Sequence, residues 1–134
     1  MERQSESAHL DRRTVILLGL AGASAVALGK GNRVMAQEGV EIKVVTDTPS
    51  MIPGFGKVQL REFMFQPGGR TAMNAMKNPM VCECSLGSLE VIQDGKTFTA
   101  NKGFVWSCNT GTMEQSVNKG TTPAVMRIFD FLSA

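Results

Sequence analysis

Residues Met80 to Ala100 read MVCECSLGSLEVIQDGKTFTA, and this stretch decides the fold class. From Met80 to Ser85, alternate side chains of an extended strand point to opposite faces, so Met80, Cys82 and Cys84 share one face. Leu86-Gly87 interrupts the run and Ser88 to Gln93 resumes it. Asp94-Gly95 then joins that second run to Thr97-Phe-Thr-Ala100 as a tight hairpin turn. Outward from this core of turns, the same punctuation bounds Glu41 to Thr46, Lys57 to Phe65, Val105 to Cys108, Glu114 to Val117 and Ala124 to Phe131. No window sustains a helical period. Short strands at regular spacing predict a single-domain, all-β sandwich or barrel. The segment from Thr48 to Gly56, with Pro49, Pro53, Gly54 and Gly56, is expected to be a mobile lip.

Composition fits one ordinary globular domain: 134 residues, 43% apolar, 19% charged, 6% aromatic, and 14 Lys+Arg against 12 Asp+Glu. The near-balance of charge, with no basic run interleaved with aromatics, gives no basis for a nucleic-acid partner. Disorder is equally disfavoured by so large an apolar fraction. Three cysteines are too few for a disulfide-built scaffold, so a packed core has to carry stability.

The first 36 residues read as an export signal. Arg12-Arg13 precedes an apolar run, Val15 to Leu28, that is short for a membrane span and right for the hydrophobic part of a secretory signal. Asp11-Arg-Arg-Thr-Val-Ile16 resembles the twin-arginine signal, with Asp11 and Val15 departing from its consensus. Lys30 and Arg33 follow the run, and Val34-Met35-Ala36 offers side chains that a signal peptidase accepts. Cleavage after Ala36 is expected, leaving residues 37–134 as a periplasmic or extracellular domain with no membrane attachment. The only histidine, His9, is lost with the signal. Any mechanism that needs an imidazole base or ligand in the mature chain is therefore excluded.

Two glycine frames in the mature chain resemble the motifs of the cupin family across nearly its whole length. The first runs Gly68, five residues, Asn74-Ala75-Met76, three residues, Met80, six residues, Gly87. The second runs Gly103, five residues, Asn109-Thr110-Gly111, two residues, Glu114, three residues, Asn118. This resemblance implies a cupin β-barrel, a jelly roll, over residues 37–134. It also implies a homodimer, which would cover exposed strand edges. In the family the four positions held here by Asn74, Met76, Met80 and Glu114 carry His, His, Glu and His, which bind a metal. One carboxylate, one amide and two thioethers do not suit the usual iron, manganese or zinc centre, so the metal site is read as degenerate.

Sulfur gathers at the same place. If Met80 keeps the inward direction of the ligand it replaces, Cys82 and Cys84 face the barrel interior, Cys108 lies close to the second motif, and Trp106 adds apolar surface. Met76, Met80, Cys82 and Cys84 are thus candidates for a soft metal, Cu(I) above all. The same side chains are more simply read as adaptable apolar fillers of a barrel that has lost its metal. Redox chemistry is a further alternative: Cys82 and Cys84 are poorly spaced to bond to each other, whereas either could pair with Cys108 across neighbouring strands. Glu114 is the one polar candidate for acid–base work, because burial would favour its neutral form.

The expected function is that of a non-catalytic binding module for a small apolar or sulfur-preferring ligand, with Asn74, Met76, Met80, Cys82, Cys84, Trp106, Cys108 and Glu114 around the cavity. No cofactor is expected. The alternative is an enzyme or Cu(I) protein that uses Glu114 and the Met/Cys-lined interior.

Overall fold

The computed structural model describes residues 33–134, with side chains from Glu38 onward. The expected signal, from its arginine pair through its apolar run, lies outside the described residues. Ten strands follow one another: β1 (Arg33–Gln37), β2 (Val40–Pro49), β3 (Phe55–Phe65), β4 (Asn74–Ala75), β5 (Met80–Leu86), β6 (Ser88–Gln93), β7 (Lys96–Asn101), β8 (Val105–Cys108), β9 (Met113–Val117) and β10 (Ala124–Ser133). They form a six-stranded sheet in the order β1-β2-β3-β10-β5-β8 and a four-stranded sheet in the order β4-β9-β6-β7. All pairings are antiparallel. The described residues are thus all-β, as the spacing of strands and turns predicts.

Each sheet turns one phase of its strands inward. On β5 the buried residues are Met80, Cys82 and Cys84, and on β10 they are Ala124, Met126, Ile128 and Asp130. From the smaller sheet come Leu89 and Val91 on β6 and Glu114 and Ser116 on β9. Together with Phe63, Phe65 and Trp106 these face the space between the sheets. The one-face arrangement of residues 80, 82 and 84 is a direct consequence of the two-residue period.

Turn chemistry pins the register. Asp94 and Gly95 both have positive φ, 46° and 79°, the geometry of a two-residue hairpin that matches strand twist. Gln93 consequently pairs with Lys96. The Asp94 Oδ1 accepts a bond from the Met113 amide at 2.9 Å, which ties this turn to the start of β9. Gly87, at φ 69°, separates β5 from β6 and so moves the chain from one sheet to the other. A Cβ there would stand 2.7 Å from the Pro123 carbonyl oxygen, so only glycine fits. Asn118, the last residue of the second glycine frame, is buried and structural. Its Nδ2 donates to the carbonyls of Phe65 and Thr122 at 3.2 and 2.9 Å, and its Oδ1 accepts from the Gly120 amide.

Two features differ from expectation. The strands claim both ends of the Thr48–Gly56 lip, since β2 extends through Pro49 and β3 begins at Phe55. Ser50 closes the short remaining turn by donating its amide to Gly56 and accepting from the Ile52 amide on Oγ. In addition, β1 pairs with β2 across the expected cleavage point, so removal through Ala36 would delete most of an edge strand.

Candidate functional site

A cavity of about 430 Å³ lies between the sheets. Its walls come from β2, β3, β5, β9, β10 and the segment Thr71–Asn78. Its apolar wall includes Met76, Met80, Met126, Ile128, Phe63 and Ile42. No residue from Ser50 to Gly54 takes part, which removes the expected lip from the site.

The first of its two buried carboxyl groups stands on the six-stranded sheet. Asp130 continues the buried phase of β10 and is only 2% exposed. Arg61, inward on β3, meets it with two bonds, Nε to Oδ2 at 2.5 Å and Nη2 to Oδ1 at 3.0 Å. Asn78 adds a third, donating from Nδ2 to Oδ1 at 3.0 Å. The guanidinium also lies 5.0 Å from the centre of the Phe63 ring, where its charge meets the negative ring face. Paired, forked bonding of this kind neutralises a buried carboxylate that would otherwise be strongly disfavoured.

The second buried carboxyl is Glu114, on β9 and 5% exposed. One of its oxygens, Oε2, accepts three bonds: from the Cys108 thiol at 2.8 Å, from Gln93 Nε2 at 3.1 Å and from Trp106 Nε1 at 3.3 Å. Burial pushes its carboxyl up from the ordinary value, and the donors Cys108, Trp106 and Gln93 partly oppose that rise. Behind it Cys82 is wholly buried, and its thiol is pushed up by its hydrogen bond with Cys108, by burial and by the Glu114 carboxyl. Cys82, Cys108 and Glu114 each offer one donor atom within 4.8 Å of the others. All three cysteines are free thiols.

Of the residues singled out from sequence, Asn74, Met76, Met80 and Glu114 line the cavity. Asn74 is exposed and faces Glu114 in the pairing of β4 with β9. Cys82, Trp106 and Cys108 form the layer behind Glu114 on β5 and β8. Cys84 is not brought to the cavity: its thiol donates to the Leu86 and Gly87 carbonyls at the far end of β5. Sequence reasoning missed Arg61, Asn78, Asp130, Ser116 and Gln93. For Asp130 a signal existed, because it stands in the apolar phase set by Ala124, Met126 and Ile128.

No family profile and no curated protein sequence matches this chain. Solved structures do. KdgF from Halomonas sp. superposes with a TM-score of 0.61 at 16% identity, over 76% of this chain and 87% of that one. A cupin domain from Bordetella pertussis gives 0.57 at 19%, over 75% of this chain and all of the other. A sugar phosphate isomerase from a cupin superfamily, from Silicibacter pomeroyi, gives 0.59 at 16%, over 73% and 62%. The fold is the cupin jelly roll. Proteins of such different description on one cupin scaffold leave function to the side chains in the cavity.

The cupin resemblance implies a metal centre at the four frame positions. At the four frame positions the cupin barrel presents an exposed amide, two thioethers and a carboxyl whose Oε2 already accepts three bonds. That donor set does not fit a hard or borderline ion at those positions, which calls for imidazole and free carboxylate.

Proposed function

We propose that this chain is an exported, non-catalytic binding protein whose barrel holds a small, uncharged, largely apolar ligand. The observation that carries the reading is charge compensation among the buried groups of a methionine-walled cavity. Asp130 is matched by Arg61 and Asn78, and burial drives Glu114 toward its neutral form. The buried charges thus compensate one another, the remaining charged lining residue, Lys77, being exposed to solvent, and the methionine-rich wall adapts to an apolar ligand. The volume, about 430 Å³, falls in the range of small-molecule sites. Catalysis has less support: Glu114 has no histidine to work with in the mature chain, and its Oε2 is occupied by Cys108, Gln93 and Trp106.

Titration of the purified protein with a neutral solvatochromic dye tests the reading. Saturable uptake at one site is expected, together with loss of uptake in Met76→Trp, where a half-buried wall residue is enlarged. A folded Met76→Trp variant that takes up dye as well as the parent, or a parent that takes up none, overturns it.

A further inference from the structure

Cys82, Cys108 and Glu114 come from three strands, β5, β8 and β9, that belong to both sheets. Their convergence is a product of the fold, since Cys82 precedes Cys108 by a whole excursion through β6 and β7. The pairing of β5 with β8 sets Met80 opposite Cys108 and Cys82 opposite Trp106, so the two thiols are diagonal neighbours on one inward face. Glu114 reaches them from the opposite sheet, with Oε2 2.8 Å from the Cys108 sulfur. We infer that these three side chains form a binding site for a thiophilic divalent ion of the closed-shell type, Zn(II) or its analogue Cd(II). Only Glu114 is shared with the four frame positions; Asn74, Met76 and Met80 contribute no donor.

The geometry needs little adjustment. A tetrahedral zinc ion with bonds of about 2.3 Å to sulfur holds two thiolates about 3.8 Å apart. The donors already lie within 4.8 Å of one another, so side-chain rotation suffices. Two thiolates and a carboxylate suit a thiophilic ion and not Mg(II) or Mn(II), which prefer oxygen. Three protein ligands leave one tetrahedral position for water.

An outer shell stands ready. Gln93 Nε2 donates to Glu114 at 3.1 Å and lies 3.3 Å from the Cys108 sulfur, while the Ser107 carbonyl accepts from the same nitrogen at 2.9 Å. Trp106 Nε1 donates to the carboxyl as well. Such donors orient ligands and absorb part of the negative charge that a divalent ion leaves uncompensated. Entry is by way of the cavity, because Glu114 forms part of its wall. Binding replaces the two thiol protons, and any proton on Glu114, which pass to solvent. No electron is transferred.

The test uses the reduced, metal-free protein titrated with Cd(II) alone. One equivalent should bind, with the near-ultraviolet absorption of sulfur-to-cadmium charge transfer, and Zn(II) should displace it. Cys82→Ser and Cys108→Ser should each weaken binding by about tenfold or more, and Cys84→Ser should not. Because a buried serine could impair folding, alkylation of the parent chain is measured in parallel. Zn(II) should slow modification of Cys82 and Cys108 and leave Cys84 unaffected. Absence of uptake by the folded, reduced parent overturns the inference, as does uptake or protection that ignores Cys82 and Cys108. Dye uptake by the cavity is read separately, so the metal site and the apolar ligand stand or fall independently.

Discussion

Asp130 meets Arg61 across 69 residues of sequence, and the pair shows how a charge is tolerated in the buried phase of a strand. Removing one partner leaves the other desolvated without compensation, whereas removing both leaves only a packing problem. Asp130→Ala should therefore destabilise by about 3 kcal/mol, the lower part of the range for a broken buried pair, since a quarter of the Arg61 side chain reaches solvent. The double variant Arg61→Met with Asp130→Leu should recover most of that loss. Denaturant midpoints for the two variants check this, and a double variant weaker than Asp130→Ala would refute it. The alternation of β10 announces Asp130 as an inward polar residue. Its partner stays hidden in the sequence, because nothing local states that β3 and β10 are neighbours. Gln93 is hidden for the same reason, as its bond to Glu114 follows from the β6–β9 register. Cys82 was legible as an inward thiol only through a frame of family positions, and the direction of Cys108, just before the turn of the second motif, was not legible.

At the scale of elements the strand list was largely legible, because turns carry their own chemistry. Asp94-Gly95 marks its hairpin whatever the sheets do, and the runs on either side alternate cleanly. The two strands missed are those with little local signal. β4 is two residues long, and β1 lies where the signal reading ends the disposable part of the chain. The ends of β2 and β3 were read as a loop because prolines and glycines cluster there; Pro49 lies beyond the part of β2 that β1 covers, where no ladder bond on that side needs its amide. Gly87 is the element boundary most exposed to substitution, since it combines positive φ with a Cβ direction blocked by backbone. Gly87→Val should destabilise by roughly 1 to 3 kcal/mol. Gly111→Val, also at positive φ but with open space around its Cβ, should fall at the lower end. The comparison of their thermal midpoints separates strain from collision, and equal midpoints for Gly87→Val and the parent would disprove the role given to Gly87.

For the whole molecule, the proposed export and the fold make one joint demand. The twin-arginine pair predicts passage of the chain out of the cytoplasm, with a mature terminus at or near Gln37. Replacing Arg12 and Arg13 together by Lys should retain the precursor inside, as cell fractionation and intact-mass measurement would register; continued export of that variant would point to the general secretory route. Since β1 runs from Arg33 to Gln37, cutting after Ala36 would also make β2 the edge of the larger sheet.

The chain contains a single tryptophan, and its indole donates to Glu114 from within a ring of aromatic neighbours, Phe98 at 5.9 Å and Phe104 at 6.1 Å between centroids. Light emitted by this protein above the phenylalanine band therefore originates at one place, beside the carboxyl that joins the cavity to the thiols. The molecule carries an intrinsic optical gauge at the junction of its two candidate sites, and occupancy of either can be followed in solution without attaching a label.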